Sequence, residues 1–182
     1  MPDVVAALGS LVARGKVSRL GVSNHPTWRV EQARMLAAEQ GVEPFTALQL
    51  TTSYVRPRPD TQVPGKDHRF GFVSDETIDY LETHDDLECW AYSPLIQGAY
   101  DRDDRPLPEV YDHPGTTRRL SALRSVADEL GAQPGQVVLS WLVQGSPSMR
   151  PIVGASSLAQ LDAALAAPQL SDAHMARLDS AR

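Results

Sequence analysis

The 182-residue chain predicts an α/β fold, a parallel sheet covered by helices, on three observations. Apolar runs of strand length alternate with amphipathic stretches at helical spacing, and strands separated by helices pair in parallel through right-handed crossovers. Phe45 to Leu50 is apolar on both faces, as a strand buried between two layers is. The first strand runs into Gly21-Val22-Ser23-Asn24-His25-Pro26 without a G-x-G-x-x-G, which disfavours a doubly wound nucleotide fold.

The elements follow in order. Val4, Val5, Leu8, Leu11 and Val12 recur at helical spacing, with Asp3 placed to cap that helix and Gly15 to end it. Val17 to Val22 is a predicted strand, and Thr27 to Gln40 a helix stopped by Gly41 and followed by Pro44. After the strand Phe45 to Leu50 comes a short helix, Asp75 to His84, then the strand Leu87 to Tyr92. Thr117 to Leu130 and Pro134 to Leu142 are helices divided by Gly131 to Gln133, and Pro151 to Gly154 is the fourth strand. Ser157 to Ala166 and Ser171 to Ser180 are the last helices, the final one with Ser171 as N-cap. The polar stretches Arg56 to Lys66 and Asp101 to Thr116 are long loops.

A chain of this length is expected to form one domain, residues 1–182, with a sizeable core. A formal charge of −6 and a pI of 5.3 leave no basic surplus for a phosphate backbone or an anionic membrane, so neither nucleic acid nor membrane is an expected partner. The single cysteine, Cys89, sits in an apolar run and rules out an internal disulfide framework. With no signal-peptide pattern after Met1 and no apolar run near membrane length, the expected location is the cytoplasm.

Polar groups cluster at the C-terminal ends of the strands: Ser23 and Asn24, Gln49, Tyr92 and Ser93, and Gly154 to Ser157. In an α/β barrel that is the ligand-binding face. Singly, each has a plainer reading: Asn24 as a turn residue, Gln49 as a satisfied core amide, Tyr92 as a packed aromatic.

Their order resembles the aldo-keto reductase family. Gly15-Lys16-Val17-Ser18-Arg19-Leu20-Gly21-Val22-Ser23-Asn24 is similar to the family's segment entering the fifth barrel strand. Leu48-Gln49-Leu50 with Tyr54 resembles the sixth strand, Ala91 to Leu95 the seventh, and Pro151 to Ser157 the eighth. Gln136 to Leu142 matches the helix before that last strand, and Gln160-Leu161 the helix after it. The resemblance implies a TIM-barrel, (β/α)8 fold present as an incomplete C-terminal half barrel, strands five to eight with their helices. It also implies a truncated NAD(P)H-dependent oxidoreductase acting on a small-molecule carbonyl substrate.

On that resemblance Ser23, Asn24 and Gln49 hydrogen-bond the nicotinamide carboxamide, since side-chain amides and hydroxyls supply both donors and acceptors. Tyr92 stacks on the nicotinamide ring, and Ser93, Pro94 and Leu95 begin the loop over the diphosphate. Gly154, Ser156 and Gln160 correspond to positions near the adenosine and its 2′-phosphate, and Ser157 opens a helix whose free N–H groups face an anion. The implied cofactor is NADP(H), with NAD(H) also open. Many members have an Arg or Lys close to Ser156 and a polar pair where Ala163 and Ala164 stand here.

The family's catalytic Asp, Tyr, Lys and His come from its first four strand-loop units, so no residue here is assigned a catalytic role. Tyr54, Tyr80, Tyr92, Tyr100 and Tyr111 have no matching Lys and His by motif, and His25, His68, His84, His113 and His174 lack metal-ligand spacing. Arg118 and Arg119 could approach a diphosphate or lie in solvent, and Asp101, Asp103 and Asp104 among Arg102 and Arg105 form a solvated loop. Three readings stay open: a fragment of a carbonyl reductase, a non-catalytic half barrel that binds nucleotide, self-associates or pairs with a complementary half, or an α/β interaction module with a decayed cofactor site that binds no nucleotide. In the closed barrel Leu20, Val22, Leu48 and Ile152 would point inward.

Overall fold

The computed structural model describes residues 1–59 and 71–181, which form an α/β fold with a parallel sheet. Positions 60–66 of the first predicted loop, and His68, lie outside the described residues. Two compact units emerge, 1–51 with 71–90 and 52–59 with 91–181.

The first unit carries α1 (Pro2–Ala13), β1 (Leu20–Ser23), α2 (Thr27–Gln40), β2 (Phe45–Thr51), α3 (Asp75–Glu82) and most of β3 (Glu88–Tyr92), with the strands hydrogen-bonded in the order β1-β2-β3. Asp3 does not cap α1: Met1 is the N-cap and Asp3 lies in the first turn, where its charge favours the helix dipole. Gly15 ends the helix at φ +65°, as expected. The first strand begins at Leu20 rather than Val17, because its ladder starts on Phe45, the first residue of β2. The register then runs Gly21 to Ala47, Val22 to Leu48 and Ser23 to Gln49, with Thr46 bulged out after the first pair.

That register fixes the faces. Leu20 and Phe45 are buried against Val5 of α1 and Ala33 and Ala37 of α2, with Val22, Leu8 and Val42 packed around them. Leu20 and Val22 therefore face the helices, and so does Leu48, the cross-strand partner of Val22. The expectation that they point into a barrel is overturned by alternation: the residues on the other face are Gly21, Ser23, Ala47 and Gln49. Gly9 explains how closely the outer layer seats, since a Cβ there would come within 2.5 Å of Val42 Cβ.

The second unit carries the end of β3 and its neighbour β4 (Met149–Ile152), with α4 (Pro114–Leu130), α5 (Pro134–Gln144), α6 (Leu158–Leu165) and α7 (Asp172–Ser180). Helix α4 starts at Pro114, earlier than the Thr117 read from the sequence, because proline is favourable at the first helical position. β4 likewise begins earlier, at buried Met149, and Pro151 is tolerated in this last strand of the hydrogen-bonded order. Ile152 is exposed, and Val153 and Gly154 are already loop. Ser171 caps α7, accepting a hydrogen bond from His174 N–H at 3.2 Å. The loop after β3 is not featureless: it holds short 3-10 turns at Ile96–Gly98 and Glu109–Tyr111.

The core of the second unit centres on Tyr54, which is wholly buried. Its hydroxyl donates to the Leu178 carbonyl in α7 at 2.9 Å, and its ring meets Trp141 of α5 edge-on at 5.3 Å. Leu123, Val126, Val137, Val138 and Leu178 complete the apolar interior.

Candidate functional site

In the first unit the polar strand ends are brought together by the parallel register. Ser23 and Gln49 are cross-strand partners, so their side chains leave the sheet on the same face. Asn24 follows at φ +59°, a left-handed conformation that its short polar side chain tolerates, and its N–H extends the ladder to the Gln49 carbonyl at 3.2 Å. His25 turns back to the Ser23 carbonyl at 2.9 Å. Neither the Ser23 hydroxyl nor the Gln49 amide has a hydrogen-bond partner among the described residues.

The Ser23 and Gln49 side chains line a cleft of about 450 Å³ together with Gly21, Ala47 and Trp90. Gly21 and Ala47 add little bulk to the lining, while Trp90 and Arg19 are its largest residues. The indole N–H of Trp90 donates to Glu88 at 3.2 Å, and Glu88 takes the Arg19 guanidinium at 3.0 Å. Trp90 was missed in the sequence, where Leu87 to Tyr92 reads only as an apolar strand. The signal was the small residues Gly21 and Ala47, which leave room for a large one.

In the second unit, β3 ends at Tyr92 and the chain enters a strained turn. Ser93, Ile96 and Gln97 lie at φ +56°, +46° and +57°, and Gly98 at +89°. Left-handed non-glycine residues cost on the order of 1–3 kcal/mol each, and a β-branched residue there is rarest, so the turn stands only because its surroundings hold it. Pro94 and Ile96 are buried and Ser93 is exposed. Beyond β4, Gly154 has nothing within 4 Å of a notional Cβ. Ser156 donates to the Gln160 side-chain oxygen from both its N–H (2.7 Å) and its hydroxyl (2.9 Å), and Ser157 caps α6 by accepting from Gln160 N–H at 3.3 Å. Gln160 thus spends its oxygen on Ser156 and keeps its amide N–H groups for other partners.

Other sequence candidates resolve into packing. Arg119 lies 5.2 Å over the Tyr54 ring and donates to the Tyr54 carbonyl at 2.9 Å, a structural role, while Arg118 is exposed. The acidic run is only partly a solvated loop. Arg102 and Asp104 pair in the open, but the Asp101 carboxylate turns inward to accept Gly135 N–H at 2.8 Å at the start of α5. Burial holds that carboxyl above its ordinary range despite the bond. His84 pairs with Glu31, His113 bonds the Arg56 carbonyl, and among the described residues no three His, Cys, Asp or Glu side chains gather as a metal site requires.

Protonating a developing alkoxide needs a tyrosine with a lowered pKa and a cation beside it. Burial acts oppositely here: it raises Tyr54 to about 12, Arg119 notwithstanding, and raises Tyr80, Tyr100 and Tyr111 as well. Cys89, buried, is pushed up to about 12 and is no nucleophile. No helix among the described residues is long and apolar enough to cross a membrane.

The model of the aldo/keto reductase family matches residues 1–182. Pyridoxine 4-dehydrogenase of Escherichia coli (strain K12) is 44% identical over 166 residues, covering 91% of this chain and 44% of that protein. The aryl-alcohol dehydrogenase (NADP(+)) of Phanerodontia chrysosporium is 27% identical over 185 residues, covering 93% and 44%. A thermostable aldo-keto reductase solved with the inhibitor epalrestat shares the fold, with a TM-score of 0.71 at 22% identity over 100% of this chain and 54% of its own. The chain spans about half the length of the curated relatives it matches.

Proposed function

The chain belongs to the aldo/keto reductase family, and we propose that it serves NAD(P)H-dependent reduction of a small-molecule carbonyl to an alcohol by holding the cofactor, without supplying the proton donor. One observation carries this reading: Ser23 and Gln49, paired at the ends of parallel strands, present to one cleft side chains that have no hydrogen-bond partner among the described residues. A carboxamide needs both donors and acceptors, and a hydroxyl beside an amide provides both. A bound reduced nicotinamide supplies hydride to the carbonyl carbon. Ser23, Asn24 and Gln49 would hold its carboxamide, Tyr92 would offer a flat face to the ring, and the turn from Ser93 through Pro94 and Leu95 would hold the diphosphate. Gly154, Ser156, Ser157 and Gln160 take the adenosine end, where the capped start of α6 and the Gln160 amide N–H groups favour an anion. NADP(H) is the cofactor this reading favours, as the name of the aryl-alcohol relative suggests, although no Arg or Lys stands beside Ser156 in the sequence.

The raised tyrosines support the absence of catalysis by these 182 residues, and the half-barrel architecture of strands five to eight is part of the same proposal. A non-catalytic, self-associating half barrel is favoured by a separate observation. Helix α6 buries none of its residues, and Leu158, Leu161 and Leu165, 78%, 44% and 77% exposed, form one stripe along it.

Fluorescence titration with NADPH tests the cofactor reading. The chain is expected to bind saturably but weakly, and Gln49→Leu to weaken binding by about tenfold, the worth of one well-placed hydrogen bond. Gln49→Leu should leave the melting temperature unmoved, since the Gln49 amide has no partner among the described residues. A wild-type chain that does not saturate at millimolar NADPH defeats the reading.

A further inference from the structure

We infer that Tyr100 and Ser53 are positioning residues: their two hydroxyls form a directed relay that holds the strained turn at 93–98 in place. The inference rests on the cofactor reading above, which lays this turn along the diphosphate.

The direction of the relay follows from counting protons. Ser53 Oγ lies 2.5 Å from the Pro94 carbonyl, which can only accept, so the single serine proton points there. Ser53 Oγ also lies 2.6 Å from Tyr100 Oη, and having given its proton away it must accept from the phenol. Tyr100 Oη in turn accepts from Val55 N–H at 3.0 Å. The chain of bonds therefore runs Val55 N–H to Tyr100 O–H to Ser53 O–H to the Pro94 carbonyl. Every proton has one place to go, and bonds aligned this way reinforce one another.

The relay grips the turn at both ends. Pro94 precedes the left-handed residues Ile96, Gln97 and Gly98, and Tyr100 follows them. Both anchors on the other side, Ser53 and Val55, are buried and flank Tyr54, the residue at the centre of the core. A turn with three successive left-handed residues relaxes unless its ends are fixed, and this one is fixed to the buried residues on either side of Tyr54. Burial raises the Tyr100 phenol, which keeps its hydroxyl protonated and able to donate the hydrogen bond to Ser53. Tyr100 is half-buried with its hydroxyl bonded to Ser53 and Val55, so Tyr100→Phe removes the relay and keeps the ring.

The test compares the 182-residue chain with Tyr100→Phe, Ser53→Ala and the double variant, by hydrogen exchange without cofactor and by NADPH titration. Exchange of the 95–99 amides is expected to quicken by about tenfold in each single variant and no further in the double, with amides of α4 and α5 unchanged. NADPH affinity should fall in parallel, by about tenfold. Exchange at 95–99 that stays at the wild-type rate in Tyr100→Phe overturns the proposal, as does additivity in the double variant or affinity that does not follow exchange. Failure of the wild type to bind NADPH defeats the cofactor reading instead, whatever the exchange rates show. Circular-dichroism melting confirms that each variant is folded.

Discussion

Tyr54→Phe isolates one hydrogen bond at the centre of the second unit. The substitution keeps the ring, its edge contact with Trp141 and the Arg119 guanidinium above it, and removes only the hydroxyl that donates to the Leu178 carbonyl at 2.9 Å. Leu178 lies in the last turn of α7, where carbonyls have no intrahelical amide to accept from, and it is fully buried, so water has no ready access. Orphaning a buried acceptor costs about 1–3 kcal/mol. For a chain of this size each kcal/mol moves the melting temperature by about 2–4 °C, so the expected drop is about 6 °C, within a range of about 2–12 °C. Urea and thermal unfolding at pH 7, followed by circular dichroism, measure it. Tyr80→Phe is the control: its hydroxyl donates to a partly exposed Glu31, where water can substitute, so the loss should be under about 1 kcal/mol. A Tyr54→Phe drop no larger than that of Tyr80→Phe would show that ring packing alone seats α7. The alkaline limb gives a second reading. Folding raises the Tyr54 phenol from 10.0 to about 12, so the native state favours the protonated form. That contribution is present below pH about 10 and is lost as pH rises toward about 12, and Tyr54→Phe should lose less stability over that window.

The purified 182-residue chain should show no NADPH-linked reduction of aldehydes or ketones above a no-enzyme control, because burial raises Tyr54, Tyr80, Tyr100 and Tyr111 away from proton donation; turnover abolished by Tyr92→Phe would expose a donor at that residue. Leu161→Glu should shift the chain toward monomer in light scattering coupled to size exclusion, and a wild type that stays monomeric at high concentration would remove the self-association reading. Asp101→Asn should be as stable as the wild type at pH 7 or more so, since it keeps the acceptor for Gly135 N–H and removes a charge that burial penalises, whereas Asp101→Ala should lose about 1 kcal/mol as a missing helix cap does. The sign is specific: the Asp101 carboxyl is raised on folding, so its unfavourable contribution shrinks as pH falls through its native value, and the advantage of Asn over Asp should fade in the same direction.

Much of the fold was legible because it rests on local chemistry. Gly15 and Gly41 end their helices in the left-handed conformation that a side chain would strain, and Ser171 caps α7 as its position implies. The helix α2 runs over the residues expected of it, Thr27–Gln40, stopped by Gly41. Errors fell where a neighbour sets the boundary. β1 cannot start before Phe45 offers it a partner, and β4 is drawn back to Met149 by burial that no local pattern marks. Of the candidate site, the pairing of Ser23 with Gln49 could be anticipated from two strand ends, whereas the Ser53 and Tyr100 relay joins residues 47 positions apart with no motif between them.

The one structural reversal, the facing of Leu20, Val22 and Leu48, changes what the sheet is built to do. Apolar residues at alternate positions were read as a barrel interior, yet they are needed under α1 and α2, whose own apolar faces must be covered. What remains for the other face of β1 and β2 is Gly21, Ser23, Ala47 and Gln49, small or polar and poor material for an apolar core. Small residues there leave a cleft beside Trp90, and the polar ones keep hydrogen-bonding capacity that no described residue uses. A sheet face that stays small and polar at its C-terminal end suits the proposed carboxamide ligand, which needs both donors and acceptors, and the exposed leucines of α6 offer it neither.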